Sequence, residues 1–263
     1  MNAVRVQSQL LASLSHGFFL RRGGYSKGVF AELNCGARTS DEASNVRRNL
    51  ELVADRIGVG LPRMVTGRQI HSARVYRVSE SPPTVSPEAD SFVTAMHGTA
   101  VAVLSADCMP ILFADLRTGS VAAAHAGWRG ALAGVIENTV AEMVACGSRR
   151  SDIRAAIGPC ISRDKYEVQS DFRDEFRDKD PASERFFAYE NGNRLYFDLP
   201  GYGIALLQRA GIRDCEWIGR CTYSDPRNCF SYRRSRHKGE TGTGLHISVI
   251  AVADRLTSPA VCD

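Results

Sequence analysis

The sequence lacks the features that mark membrane proteins, secreted disulfide scaffolds and nucleic-acid-binding proteins. No stretch is apolar for long enough to span a bilayer, and polar residues interrupt the first twenty positions, where a signal peptide would need an apolar core. The net charge of +4 is dispersed over 263 residues, without a Lys/Arg tract that includes aromatic side chains. We therefore expect a cytoplasmic protein that binds neither a membrane nor nucleic acid.

The chain also lacks the short cysteine and histidine motifs of familiar metal sites. Its eight cysteines include no Cys-x-x-Cys pair, which argues against a zinc ribbon, and their irregular spacing is unlike that of a secreted disulfide framework. Its six histidines include no His-x-His pair, whereas multicopper oxidases bind copper largely through such pairs. Most of the eight thiols are expected to be buried as small apolar groups.

What is present indicates a globular mixture of helices and strands. Ser40 and Asp41 precede apolar residues at helical spacing, which predicts an N-cap and an amphipathic helix. A second helix is predicted to open at Gly127–Gly130 and to end at Gly147. Central apolar runs of strand length are Thr99–Leu104, Ile111–Ala114 and Val121–His125. Because strands outnumber helices and several are joined by short links, we predict one α+β domain.

The last two apolar runs predict a hairpin with chemistry at one end. If Ala114 pairs with Val121, then Pro110 lies opposite His125, and Cys108 shares the face of His125 as a diagonal neighbour. The helix that opens just beyond His125 would lower the pKa of the thiol at its N-terminus.

Thiolate and imidazole are zinc-type ligands, and a site with three protein ligands keeps a fourth position open. His71, directly before a strand, is the candidate for the third ligand, although its spacing in the sequence does not by itself place it near Cys108 and His125. The plainer interpretations stay open at this point, because a lone cysteine is commonly a packing residue and a lone histidine is commonly exposed.

Several short blocks occur in a fixed order across the chain and indicate a family. The blocks are His16–Phe19, Arg22–Gly24, Leu33–Gly36, Gln69–His71, Ala89–Ser91, Ser105–Pro110, Ala124–Gly130, Gly158–Ile161 and Phe230–Arg234. The sequence resembles the bacterial purine nucleoside phosphorylase family formerly called multicopper polyphenol oxidoreductase or laccase. That family includes peptidoglycan editing factor and the human laccase-domain-containing protein.

The resemblance implies a fold, a metal site and an activity. The fold is a single catalytic domain over residues 1–263, with a four-layer α/β/β/α arrangement like that of the cytotoxic necrotizing factor catalytic domain. The family's metal ligands fall on His71, Cys108 and His125, which would also be the catalytic residues; zinc is the expected ion, with copper an alternative at the same site. The implied activity is phosphorolysis of adenosine, inosine and methylthioadenosine, with adenosine deamination as a second reaction, by a monomer or small homo-oligomer.

Phosphorolysis needs cationic groups for phosphate and polar groups for the nucleoside. Arg129 is the first candidate for the anion, with Arg48 and Arg233 behind it. Residues predicted to contact the nucleoside are Gln69, Asp107, Tyr223 and Tyr232. The chain departs from the family pattern at two positions, with Leu50 in place of Arg in an Asn-Arg pair and Leu245 in place of Arg in a Gly-Arg pair, which places the phosphate site in doubt.

Two other functions stay open on the sequence alone. Cys108 as nucleophile and His125 as base would make a cysteine hydrolase or amidase acting on peptidoglycan precursors. A non-catalytic partner-binding domain is the third alternative. The preferred nucleoside, and the choice between phosphate and water as acceptor, are not specified by the sequence.

Overall fold

The computed structural model describes residues 2–190 and 194–252, and within these ranges the chain forms fourteen strands and six α-helices. The strands are β1 (Arg5–Val6), β2 (His16–Phe19), β3 (Met64–Val65), β4 (Val75–Val78), β5 (Ser91–Thr94), β6 (Ala100–Ser105), β7 (Met109–Asp115), β8 (Ser120–Ala126), β9 (Ile153–Ile157), β10 (Glu167–Val168), β11 (Phe187–Glu190), β12 (Arg194–Phe197), β13 (Cys215–Trp217) and β14 (His246–Ala251). The helices are α1 (Ala43–Ile57), α2 (Trp128–Leu132), α3 (Val135–Ala145), α4 (Ser170–Lys179), α5 (Leu199–Arg209) and α6 (Tyr232–His237).

The strands form three sheets of mixed character. The five-stranded sheet has the order β1-β2-β14-β6-β3, the six-stranded sheet β13-β9-β7-β8-β5-β4, and the three-stranded sheet β10-β12-β11. The pairs β3/β6, β4/β5 and β9/β13 are parallel and the other pairs are antiparallel. The predicted α+β class is therefore confirmed.

The predicted hairpin has the predicted register. Strands β7 and β8 pair with Ala114 opposite Val121 and Pro110 opposite His125. The carboxylate of Asp115, at the end of β7, accepts hydrogen bonds from the backbone N–H groups of Arg117 and Thr118, so the connecting turn is held by its own first residue.

Alternation along these strands separates three apolar cores. On β7, Ile111 and Phe113 face the core formed with α3 and α5, whereas Leu112 and Ala114 face the core formed with the five-stranded sheet. A third core lies between the five-stranded sheet and α1. Because side chains alternate with a period of two, a strand buried on both faces is apolar at every position, which explains the continuous apolar runs in the sequence.

Two helix predictions need correction at their ends. Helix α1 begins at Ala43 with Glu42 as its N-cap, because Asp41 instead accepts hydrogen bonds from Asn34 and from the Glu42 backbone. The second predicted helix is two helices, α2 and α3. The break lies at Gly134, whose φ of +94° belongs to the left-handed region that glycine adopts without steric cost.

Seven cysteines are free thiols, and Cys262 lies outside the described residues. Three of the seven, Cys35, Cys160 and Cys229, are buried. Over residues 2–190 and 194–252, no helix combines the length and apolar character that a membrane span requires.

Candidate metal centre and substrate cavity

Three elements distant in the sequence bring His71, Cys108 and His125 together. His71 lies in the loop between β3 and β4, Cys108 in the bend before β7, and His125 near the end of β8. Their ligand atoms all lie within 4.8 Å of one another. Cys108 Sγ is 3.9 Å from His71 Nε2, and the two imidazole rings meet edge to face with centroids 4.9 Å apart. The structure thus gathers the three side chains that the sequence singled out.

The donor set fits a zinc ion. With the usual Zn–S and Zn–N distances, tetrahedral geometry places a sulfur and a nitrogen ligand about 3.5 Å apart, close to the separation found between Cys108 and His71. His125 is buried, Cys108 is half-buried and His71 is exposed, so the group faces solvent on one side only. These features are typical of a catalytic site with an open coordination position rather than of a closed structural site.

The carboxylate of Asp90 is hydrogen-bonded to both the His71 loop and His125. Its side chain is fully buried, and Oδ1 accepts hydrogen bonds from His125 Nδ1 at 2.9 Å and from the His71 backbone N–H at 3.0 Å. Oδ2 accepts from the backbone N–H groups of Ile70 and Ser72 and from the Ser72 hydroxyl. Because Nδ1 of His125 donates to the carboxylate, its Nε2 lone pair is left for a metal.

The sequence contained Asp90 within a recognised block, but nothing in its spacing showed that one carboxylate connects the His71 loop to His125.

Electrostatics favour a charged pair at the centre. Burial alone would raise the pKa of Cys108, but His125 and His71 outweigh it and lower the pKa to about 6. Burial would lower the pKa of His125, but the Cys108 thiolate and Asp90 outweigh it and raise the pKa to about 9. The predicted cause was the helix that follows β8. That helix, α2, has only five residues, and the largest opposing effect on the thiol comes from His125.

Backbone geometry near the centre is unusual. His71 and Asp107 have φ angles of +58° and +103°, in the region that residues with a Cβ rarely adopt. Gly127 lies so close that a Cβ there would be 2.8 Å from Cys108 Sγ and 3.0 Å from His71 Cδ2. Strain of this kind concentrates where a loop must aim a functional side chain.

A cavity of about 610 Å³ adjoins the metal centre and is lined by His71, Cys108 and His125. Its other walls combine apolar side chains with three arginines, Arg38, Arg129 and Arg233. The buried Asp107 is the single carboxylate among the cavity's lining residues. It accepts hydrogen bonds from the Thr222 hydroxyl and the Arg233 backbone N–H. The charge offered to a ligand is therefore mainly positive.

The other predicted site residues divide into those at the cavity and those remote from it. Arg129, Arg233, Gln69 and Tyr232 line the cavity. Gln69 is committed to the backbone, since its amide donates to Leu104 O and accepts from Leu104 N, both at 2.7 Å. It therefore positions the His71 loop against β6, which is a different role from the predicted contact with substrate.

Arg48 and Tyr223 are not among the residues that line the cavity. The guanidinium of Arg48 packs 3.5 Å from the centroid of the Tyr25 ring, on the exposed side of α1. The hydroxyl of Tyr223 is 3.1 Å from His237 Nδ1. Each side chain turns toward a neighbour that does not line the cavity, and their contacts with substrate stay predictions.

The two leucines that depart from the family pattern do face the cavity. Leu50, on α1, and Leu245, just before β14, both line the cavity with apolar side chains. Leu245 is fixed at its backbone, where its N–H donates to Asn34 Oδ1 and its carbonyl accepts from the Cys35 N–H. The two leucines make this edge of the cavity apolar, and Arg38, in the loop before α1, also lines the cavity.

The buried amide of Asn49 helps to hold that edge in place and was not predicted as part of the site. Asn49 is fully buried, and its amide donates to Ser26 Oγ and to the carbonyls of Glu32 and Asn34. Its carbonyl accepts from the Tyr25 N–H. Only the fold reveals this network, because the partners are separated from Asn49 by 15 to 24 residues.

The whole arrangement matches a known family. The profile of the multi-copper polyphenol oxidoreductase laccase family matches residues 15–253, which include the three candidate ligands. The chain belongs to this family. The match extends over most of the chain, as the order of the short sequence blocks predicted.

Curated relatives of the chain are named as enzymes that act on purine nucleosides. The chain is 36% identical over 230 residues to a purine nucleoside phosphorylase of Deinococcus radiodurans, covering 88% of this chain and 87% of that protein. It is 37% identical over 225 residues to a purine nucleoside phosphorylase of Streptomyces coelicolor, covering 85% and 91%. These family members support an enzyme of that kind.

Solved structures share the fold over nearly the full length. YlmD of Geobacillus stearothermophilus superposes with a TM-score of 0.88 at 29% identity, covering 97% of both chains. Protein NMB0706 of Neisseria meningitidis superposes with a TM-score of 0.84 at 32% identity, covering 96% of this chain and all of that one.

Proposed function

We propose that this chain is a zinc-dependent purine nucleoside phosphorylase that acts on adenosine, inosine and methylthioadenosine and also deaminates adenosine. One observation carries the proposal: His71, Cys108 and His125 converge at the wall of a cavity that is also lined by three arginines and by a single, buried carboxylate. The names of the curated relatives support the reaction class.

The chain's own residues account for anion binding. Arg129 is exposed at the cavity, and its guanidinium stacks 4.2 Å from the Trp128 ring, which orients its planar donors without consuming them. Arg233 is held by a hydrogen bond from its NH1 to the Glu167 carbonyl. These two groups, with Arg38 across the apolar edge, would bind phosphate while its oxygen forms a bond to C1′ and the bond from C1′ to the base breaks.

The metal would be held by His71 Nε2, Cys108 Sγ and His125 Nε2. When bound, zinc supplies Lewis acidity at the open side of this ligand set. Asp90 positions His125 and the His71 backbone, and the buried carboxylate keeps the imidazole in the tautomer that can ligate.

The test is incubation of the zinc-loaded protein with adenosine, with and without phosphate. Phosphorolysis predicts adenine and ribose 1-phosphate only when phosphate is present. Deamination predicts inosine without phosphate, and inosine together with the hypoxanthine formed from it when phosphate is present. Cys108→Ala is expected to lose both zinc and turnover. A Cys108→Ala variant with full zinc content and full activity would refute the site assignment.

A second candidate is a cysteine hydrolase or amidase acting on peptidoglycan precursors. It is favoured by the line of Cys108, His125 and Asp90, in which the thiol is acidified by His125 and the imidazole is oriented by a buried carboxylate. Metal analysis separates the two functions. Stoichiometric zinc that protects Cys108 from alkylation supports the phosphorylase, whereas a reactive thiol in metal-free protein that cleaves muropeptide amides supports the hydrolase.

We also propose that residues 1–263 form one catalytic domain with four layers, like the cytotoxic necrotizing factor catalytic domain. The succession of α1, the five-stranded sheet, the six-stranded sheet and α3 with α5, separated by three apolar cores, supports this arrangement. The cytoplasm is the proposed location, because purine nucleosides and phosphate are metabolites of that compartment.

A further inference from the structure

A second cavity of about 470 Å³ adjoins the substrate cavity, and we call it the outer chamber. The two cavities share four lining residues, Trp128, Arg129, Tyr166 and Arg233. The remaining lining of the outer chamber includes three carboxylates, Glu167, Asp171 and Glu175, on β10 and α4. None of these three acids takes part in the metal centre.

The shared wall consists of two arginines stacked on two aromatic rings. The Arg129 guanidinium carbon lies 4.2 Å from the Trp128 ring centroid, and the Arg233 guanidinium carbon lies 5.1 Å from the Tyr166 ring centroid. Each guanidinium carries five N–H donors, so a group in either cavity finds cationic donors on this wall. A ligand that occupies both cavities would pass beside it.

The outer chamber also has an acidic wall, and salt bridges neutralise the carboxylates of this wall only in part. Glu167 has Arg194 at 3.8 Å, and Glu175 has Lys179 at 2.9 Å. Asp171 accepts a hydrogen bond from the Phe172 backbone N–H, and no salt bridge joins it to the described residues.

This charge pattern selects one kind of ligand. A dianion would meet three carboxylates, and a simple cation would meet two guanidinium groups, so each would face repulsion on one wall. A zwitterion satisfies both walls if its ammonium faces Asp171 and Glu175 and its carboxylate takes N–H donors of Arg129 and Arg233 on the side of the outer chamber, which leaves their donors on the side of the substrate cavity for phosphate. Trp128 and Phe172, whose ring centroids lie 4.8 Å apart, both line the chamber and offer apolar contact to a short methylene chain.

We propose that the outer chamber binds the α-amino acid group of a purine nucleoside that carries a homocysteine-type thioether at its 5′ carbon. This rests on the proposed function, which places the nucleoside itself in the substrate cavity. In the reaction, a phosphate oxygen forms a bond to C1′ and the bond from C1′ to N9 breaks; adenine leaves with that electron pair and takes up the proton that the hydrogen phosphate releases. The amino acid group takes no part in bond making.

The test compares three substrates: S-adenosylhomocysteine, its analogue without the amino group, and 5′-methylthioadenosine. In the wild-type enzyme we expect kcat/KM for S-adenosylhomocysteine to equal or exceed that for 5′-methylthioadenosine, and to exceed that for the analogue without the amino group. In the double variant Asp171→Asn, Glu175→Gln the ratio of kcat/KM for S-adenosylhomocysteine to that for 5′-methylthioadenosine should fall about 10-fold.

The matched control is Asp174→Asn. Asp174 lies on the same helix, is exposed, pairs with Arg177 at 3.0 Å and does not line the chamber, so the substrate ratio should stay at the wild-type value. Cleavage of 5′-methylthioadenosine without cleavage of S-adenosylhomocysteine would overturn the inference, as would a ratio unchanged in the double variant.

If neither nucleoside is cleaved, the proposed function fails, and equilibrium binding of S-adenosylhomocysteine decides the inference separately. Binding that weakens in the double variant and not in Asp174→Asn supports the outer chamber. Absence of binding, or binding equal in all three proteins, overturns it.

Discussion

Replacing Asp90 by Asn tests whether the buried carboxylate sets the tautomer of His125. The two side chains have the same shape, but the amide offers one acceptor atom where the carboxylate offers two. If the amide oxygen keeps the three donors of Ile70 and Ser72, the NH2 group faces His125 Nδ1. The imidazole must then accept at Nδ1, which moves its proton to Nε2, the atom that would ligate the metal.

The magnitude follows from the contacts that change. Loss of a carboxylate that orients a metal-bound histidine weakens metal binding about 10- to 100-fold, or about 1.4–2.7 kcal/mol. In the metal-free protein, the part-buried His71 backbone N–H loses its acceptor and the hydrogen bond between His125 and the buried carboxylate is lost as well, so we expect the free energy of unfolding to fall by about 2–4 kcal/mol.

The assay is zinc affinity, measured by competition with a chromophoric chelator, together with urea unfolding of the metal-free protein. Ser72→Ala is the matched control, because it removes one hydroxyl hydrogen bond to Asp90 and leaves the carboxylate and its bond to His125 in place. We expect its zinc affinity within about threefold of the wild type. Wild-type zinc affinity in the Asp90→Asn protein would refute the argument about the tautomer.

The same residue predicts a pH dependence of stability. Burial would raise the pKa of Asp90, but the hydrogen bonds from His125 and Ser72 outweigh it and lower the pKa from 3.8 to about 2. A lowered folded-state pKa stabilises the fold above the unfolded-state value, and this contribution is lost as pH falls from about 4 to about 2. For the metal-free protein, the stability gap between wild type and Asp90→Asn should therefore narrow by about 2 kcal/mol over that range. A gap independent of pH would contradict the assignment.

Three further substitutions test separate parts of the site. Gly127→Ala places a methyl group 2.8 Å from Cys108 Sγ and 3.0 Å from His71 Cδ2, so zinc affinity should fall at least about 10-fold while far-ultraviolet circular dichroism is unchanged; unchanged affinity would contradict the close approach. Asn49→Ala leaves four hydrogen-bonding groups without their partner, two in buried and two in part-buried contacts, and should lower the free energy of unfolding in urea by about 3–4 kcal/mol; a loss under about 1 kcal/mol would show that the network is solvated. Arg129→Ala should raise the KM for phosphate about 10-fold with little change in deamination rate, and an equal loss of both activities would assign it another role.

Patterns within short segments were enough to specify the central hairpin and its chemistry. The apolar runs of β7 and β8 are local, and a strand period of two transmits the pairing of Ala114 with Val121 along the hairpin to Pro110 and His125. The burial pattern did not specify the register, because both faces of β7 and β8 are buried and apolar; the pairing of Ala114 with Val121 across the short connecting loop is a supposition, and the structure confirms it. The resemblance then added His71, which no spacing argument reached.

Other features depend on contacts that cross the whole chain. Nothing near Arg48 in the sequence shows that its guanidinium turns to Tyr25 and away from the cavity, and nothing near Gln69 shows that its amide pairs with the Leu104 backbone. Side chains of this length reach several partners, so their direction is decided by which element packs nearby.

The convergence of the metal centre is the clearest case. His71 and His125 are 54 positions apart in the sequence, and one buried carboxylate from a third segment holds both through direct hydrogen bonds. A buried charge is stable only where enough donors surround it, and those donors come from loops that meet only in the folded chain. The strands of the hairpin can therefore be predicted from local sequence patterns. The orientation of the metal-ligand side chains depends instead on the polar groups that the tertiary fold brings to Asp90.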